Sequence, residues 1–137
     1  ELYPLIDIMT PNEVEASQLV GFPVNNPETA ILAAKQLQEC GVKNVIVKLG
    51  DRGVVAVSGD ETLFVPAFAV EAVDTVAAGD AFNGGLAAAL DGGLSLSEAV
   101  VWGAAAGALC ATKMGAQVAM CDRTTFDSFL QENGIRK

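Results

Sequence analysis

Apolar residues along this chain fall into two kinds of run, short blocks of buried-strand character and longer stretches with helical spacing, punctuated by Gly, Pro and Asn. Leu5 to Met9 reads as an apolar strand. Thr10 behind it is placed to cap a helix, with Pro11 at the first helical position and Glu13 three residues after the cap, and that helix ends near Val20-Gly21. Asn26-Pro27 opens a second helix, whose apolar face carries Ile31, Ala34, Leu37 and Cys40 and which Gly41 stops. Val45 to Leu49 is a buried-strand run, Gly50-Asp51-Arg52-Gly53 a turn into the strand Val54 to Val57, and Gly59-Asp60 a hairpin to the strand Thr62 to Val65. Val70 to Val73 reads as the end of a further strand. Ala81 to Leu90 is small and apolar with no β-branched residue to oppose helix, Gly92-Gly93 breaks it, and Ser97 caps a long helix through Ala111. A last helix, about Thr124 to Asn133, ends at Gly134.

This order predicts an α/β layered fold with a largely parallel central sheet flanked by helices, in which ligands collect at the C-terminal edges of the strands. The Asn12 helix start, the Gly50 turn and the Asp74 to Gly79 junction each follow a strand, so they are expected along one edge.

Composition narrows the class. With 137 residues, 51% of them hydrophobic, the chain suffices for one domain-sized core. A net charge of -9 argues against nucleic acid or an anionic membrane as partner, and the few basic residues form no patch. The absence of His removes imidazole acid/base chemistry and His metal ligands. Cys40, Cys110 and Cys121 are odd in number and lack zinc-type spacing, so they are expected to be reduced, mostly buried thiols of a cytoplasmic protein. The apolar run Ala99 to Ala111 is too short to span a bilayer and reads as a buried helix. No signal peptide is visible, and an opening at Glu1 rather than Met implies that the natural N-terminus lies upstream.

The chemistry concentrates in Asp74-Thr75-Val76-Ala77-Ala78-Gly79-Asp80-Ala81-Phe82-Asn83-Gly84-Gly85. Asp74 to Gly79 is a strand-to-helix junction, where unpaired N–H groups and the positive end of the helix dipole make an anion site without a basic side chain. Ala77, Ala78 and Gly79 allow a phosphoryl oxygen close to their backbone. Asp80 would repel such a ligand unless it has a task, and accepting a proton from a hydroxyl that attacks a γ-phosphate is one. Complementing the helix dipole is the other reading of Asp80, and tight helix packing the other reading of the small residues.

The whole segment resembles the signature of the phosphofructokinase-B, or ribokinase-like, sugar kinases. Three further stretches stand in the order that family has them: Thr10-Pro11-Asn12-Glu13-Val14-Glu15-Ala16, Val47-Lys48-Leu49-Gly50-Asp51-Arg52-Gly53, and Lys113-Met114-Gly115-Ala116-Gln117. They span nearly the whole chain and correspond to the C-terminal half of such an enzyme. The sugar-binding N-terminal half and its lid would lie outside these residues. Neither a Gly-x-x-x-x-Gly-Lys-Ser/Thr nor a Gly-x-Gly-x-x-Gly between strand and helix is present, which leaves a P-loop or dinucleotide reading without support.

The resemblance implies ATP-dependent phosphorylation of a sugar hydroxyl, with ribose the first expectation. Asp80 would then be the general base that contacts the sugar, and Ala77, Ala78 and Gly79 the anion hole, with Gly79 also touching the nucleotide. It further implies that Asn12 and Glu15 help to place Mg²⁺ and the phosphates, that Lys48, Leu49, Gly50, Asp51, Arg52 and Gly53 border the adenosine, and that Ala104 lies by the base. From the residues alone, Asn12 and Glu15 fit an ordinary helix start, Gly50 to Gly53 a ligand-free turn, and Gly103, Ala104 and Gly107 close helix packing. A potassium-type ion is implied at Asp74, Val76, Cys110, Lys113, Gly115 and Ala119. Ala119 and Val118 depart from the hydroxyl and proline common in the family there. A kinase for another alcohol, such as a nucleoside or vitamin precursor, and a nucleotide-binding module without catalysis of its own are the alternatives. The expected partners are the sugar and ATP, with a homodimer through the lid region, and these residues alone are expected to be inactive.

Overall fold

A computed structural model of the chain describes residues 2–67, 78–111 and 131. It divides into two units, Glu1–Ala67 and Phe68–Lys137.

The first unit is a sheet with helices against it. Strand β1 (Ile8–Met9) leads into helix α1 (Glu13–Val20), followed by α2 (Pro27–Glu39) and the strands β2 (Asn44–Lys48), β3 (Val54–Ser58) and β4 (Glu61–Val65). The strands lie in the order β1-β2-β3-β4. β1 and β2 are parallel, joined through the two helices, while β2, β3 and β4 are successively antiparallel. The α/β class is as expected, with the parallel pairing of the described strands confined to β1 and β2 and the hairpins supplying the rest.

Burial explains which helix faces turn inward. Ala30, Ala33, Ala34 and Leu37 form the buried stripe of α2, and they share one core with Val45, Val47, Val55 and Val57 of the sheet. Alanine on the helix and valine on the strands let the layers approach closely. Each buried valine contributes about 1.5–3 kcal/mol relative to exposure.

Several boundaries differ from the expectations. Leu5 is not part of a strand: Tyr3–Leu5 is a single 3₁₀ turn with Pro4 as its second residue, and Leu5 is 79% exposed. Thr10 does not cap α1. The chain stays extended through Pro11 because the Pro11 carbonyl accepts the Lys48 N–H at 2.9 Å, and Asn12 is the cap. Cys40 is exposed rather than buried: it is the C-cap residue at the end of α2, outside the buried stripe of Ala30, Ala33, Ala34 and Leu37.

The second unit contains helices α3 (Ala78–Asp91) and α4 (Leu96–Ala111), packed on each other. A β-carbon on Gly85 would lie 2.9 Å from the Ala106 side chain and 3.0 Å from the Trp102 carbonyl, so the helices meet at a contact only glycine allows. The cap of α4 is Ser95 and not Ser97. Glu98 stands three residues after Ser95 and completes the reciprocal cap, with Oε1 accepting from the Ser95 N–H at 3.0 Å and the Ser95 hydroxyl accepting from the Glu98 N–H at 3.2 Å. The expected strand Val70 to Val73 and the last helix near Thr124 to Asn133 lie outside the described residues, apart from Gln131, which is helical. Among the described residues no helix is long and apolar enough to cross a membrane.

Candidate functional site

One group of candidate residues is built at one end of β2. Lys48 is the last residue of that strand, and Asn12 pairs with it in an isolated parallel bridge. The start of α1 and the turn after β2 therefore stand side by side at the C-terminal edge of the parallel strands, as their positions after strands predict.

At the start of α1, Asn12 and Glu15 bind each other. The Asn12 Oδ1 accepts from the Glu15 N–H at 2.8 Å, and Glu15 Oε1 accepts from the Asn12 N–H at 2.9 Å. Both residues are exposed, but one oxygen of each is committed to the cap. That arrangement suits a magnesium ion reached through water, since Mg²⁺ keeps much of its hydration shell and takes few protein ligands. Among the described residues no group of three or more carboxylates or thiols could hold a metal directly.

The turn from Lys48 to Gly53 is fixed by its own backbone. Leu49 N–H donates to the Gly53 carbonyl at 2.8 Å, Arg52 N–H to Leu49 at 3.1 Å, and Gly53 N–H to Gly50 at 3.2 Å. Leu49 is buried, so its side chain serves the core and only its main chain can meet a ligand, whereas Gly50, Asp51 and Arg52 are exposed. Gly53 has φ 102°, and a β-carbon there would come within 2.3 Å of the Val65 carbonyl. The glycine lets the end of β4 pass directly beneath the turn.

Arg52 was expected beside the nucleotide, and its side chain is turned onto the protein. Its Nη1 donates to the Asn25 carbonyl and lies 3.8 Å from Glu13 Oε2. Glu13 and Asn25 were not among the expected site residues. The sequence signal at Glu13, its place three residues after Thr10, points to capping rather than to a ligand site.

A second group of candidate residues lies in the other unit. Ala78 begins α3, and Gly79 and Asp80 follow on its exposed first turn. Phe82 and Ala81 are buried and anchor that turn from the opposite face. On α4, Gly103 is taken up by packing, since a β-carbon there would lie 2.9 Å from the Phe82 carbonyl. Ala104 is the next residue around the helix and is half-buried, with surface left for a ligand. Cys110 lies in the last turn of α4, while Asp74, Val76, Ala77, Lys113, Gly115 and Ala119 are outside the described residues.

Residues 1–123 match the pfkB family of carbohydrate kinases. The chain belongs to that family. Ribokinase of Haemophilus influenzae is 41% identical over 131 residues, which are 96% of this chain and 43% of that protein. Among solved structures, Arabidopsis thaliana ribokinase complexed with ribose and ATP superposes with a TM-score of 0.88 at 36% identity, over 95% of this chain and 42% of that one. Phosphofructokinase-2 of Escherichia coli in complex with potassium gives a TM-score of 0.83 at 28% identity, over 94% of this chain and 41% of that one. The fold is therefore ribokinase-like, and the chain spans less than half the length of these pfkB family relatives.

Proposed function

We propose that these residues are the C-terminal, nucleotide-binding and catalytic-base portion of a sugar kinase that transfers the γ-phosphoryl group of ATP to a sugar hydroxyl, with ribose the acceptor and ribose 5-phosphate the product. The observation that carries this reading is Asp80 on the exposed first turn of α3, directly after Gly79, in a chain of the pfkB family. A carboxylate at a helix start that presents N–H groups is suited to take the proton of the attacking hydroxyl while the amides meet the phosphoryl oxygens. The sugar oxygen forms its bond to the γ-phosphorus as the bond to the ADP oxygen breaks, and the proton passes to Asp80.

The other elements take supporting roles. Ala77, Ala78 and Gly79 form the anion hole, the Lys48 to Gly53 turn borders the adenosine, and Ala104 lies against the base. Asn12 and Glu15 meet Mg²⁺ through water, and the ion neutralises charge on the nucleotide phosphates. A potassium-type ion held at Asp74, Val76, Cys110, Lys113, Gly115 and Ala119 would stiffen the anion hole; the last turn of a helix, where Cys110 lies, offers carbonyl oxygens for such a ligand set. The relatives support ATP and ribose as ligands, since the Arabidopsis ribokinase binds both.

The test is ADP release by the full-length protein with Mg-ATP and a panel of pentoses and hexose phosphates. Ribose should give the highest kcat/KM, and absence of turnover with every sugar would overturn the reading. Residues 1–137 alone should bind Mg-ATP weakly in calorimetry and release no ADP with ribose, because closure over the sugar needs the other half of the domain.

A further inference from the structure

Arg52 is exposed, and a basic side chain on a turn proposed to border a nucleotide is ordinarily read as a ligand to it. Its surroundings point elsewhere. Its guanidinium donates to the main-chain carbonyl of Asn25, in the segment that leads into α2, and faces Glu13 Oε2 in the first turn of α1 at 3.8 Å. The other carboxylate oxygen of Glu13 stands over the turn itself, 3.9 Å from where a β-carbon on Gly50 would lie. Glu13 is thus the meeting point of the α1 start and the Gly50 turn, and Arg52 ties both to the approach of α2.

We infer that Arg52 is a positioning residue that acts through Glu13: it locks the Asn12–Glu15 cap and the Lys48 to Gly53 turn into one rigid edge and does not itself touch the nucleotide. This rests on the proposed nucleotide-binding role of that edge. Its energetic scale is set by exposure, because the Arg52 and Glu13 side chains are 55% and 37% accessible and an exposed pair adds little to global stability. Its effect is local. The cap of α1 and the turn after β2 already share the Asn12–Lys48 bridge along the backbone, and the ion pair adds a side-chain link from the opposite end of the turn.

The experiment is a double-mutant cycle in the full-length protein with Arg52→Met and Glu13→Gln, read in two ways. Hydrogen exchange at the Asn12 and Glu15 amides should speed up in either single variant and no further in the double, with the melting temperature nearly unchanged. In the kinase assay each single variant should raise KM for ATP roughly two- to fivefold, the scale an exposed ion pair supports, with a smaller effect on kcat. Arg52→Lys, which keeps the charge facing Glu13, should restore part of both readouts. Unchanged amide exchange in Arg52→Met would overturn the inference whatever the protein's activity, which separates it from failure of the kinase reading. A raised KM in Arg52→Met with a normal KM in Glu13→Gln, or additive effects in the double variant, would overturn it too, because either makes Arg52 a direct ligand.

Discussion

Gly103 of α4 lies directly under Phe82 of α3, close enough that a β-carbon would sit 2.9 Å from the Phe82 carbonyl and 3.2 Å from its ring. The residue two positions after the proposed base is thereby held by the helix proposed to carry the adenine site. Gly103→Ala should destabilise the protein by about 1–3 kcal/mol, because the obstructing atom is backbone and cannot turn aside. Gly84→Ala is the matched control: among the described residues nothing lies within 4 Å of its added methyl, and the gain in helix propensity should stabilise by about 0.5–1 kcal/mol. Urea unfolding of the two variants checks the difference in sign.

Replacing Asp80 with Asn preserves size and removes the proton acceptor. Phosphoryl transfer by full-length Asp80→Asn should fall by roughly 10² or more, the usual scale for loss of a general base, with Mg-ATP affinity little changed. Near-normal turnover in a steady-state assay would remove Asp80 from the chemistry.

A monovalent ion at Asp74 and the neighbouring carbonyls would stiffen the Ala77-Ala78-Gly79 turn. Turnover of the full-length protein should then be higher in potassium than in sodium, and lowest in tetramethylammonium, at matched ionic strength. Equal rates in all three salts would mean that protein contacts alone organise the loop.

The α4 cap carries a pH signature. Glu98 is held below its ordinary value of 4.5, first by the Ser95 N–H and then by the Ser95 hydroxyl. A depressed carboxylate stabilises the fold above its unfolded value, and that share is lost as pH falls below 4.5 through the folded value. Ser95→Ala removes only the hydroxyl, so an NMR titration should show the Glu98 value rising part of the way back.

Local punctuation made much of the fold legible. Asn26-Pro27 and Gly41 bracket α2, Gly59-Asp60 closes the β3–β4 hairpin, and Gly92-Gly93 follows α3, each through short-range backbone chemistry. The helix caps differ from the pattern where two signals compete. Thr10 and Asn12 are both good caps, and the choice was made by a tertiary hydrogen bond, Lys48 N–H to the Pro11 carbonyl, that no local pattern encodes. Ser95 and Ser97 competed likewise, but there Glu98 three residues after Ser95 was a readable signal. The candidate site was legible as motifs and not as contacts: that Arg52 turns toward Glu13 and Asn25 depends on three segments meeting in space.

The pairing of β2, β3 and β4 sets where this fold can absorb change. Lys48 pairs with Val54, and Val54 with Val65, so these three residues share the edge that carries the Asn12 cap, while Asn44, Ser58 and Glu61 mark the opposite edge. The Gly59-Asp60 turn is on that far side, with open space around Gly59 among the described residues. Extra residues inserted there lengthen a loop at the sheet edge opposite the Asn12 cap and leave the strand register intact, whereas a single residue added between Met9 and Asn12 breaks the bridge to Lys48 and separates the helix cap from the turn. Length variation among natural homologues should accordingly gather at 59–60 and be nearly absent from 9–12.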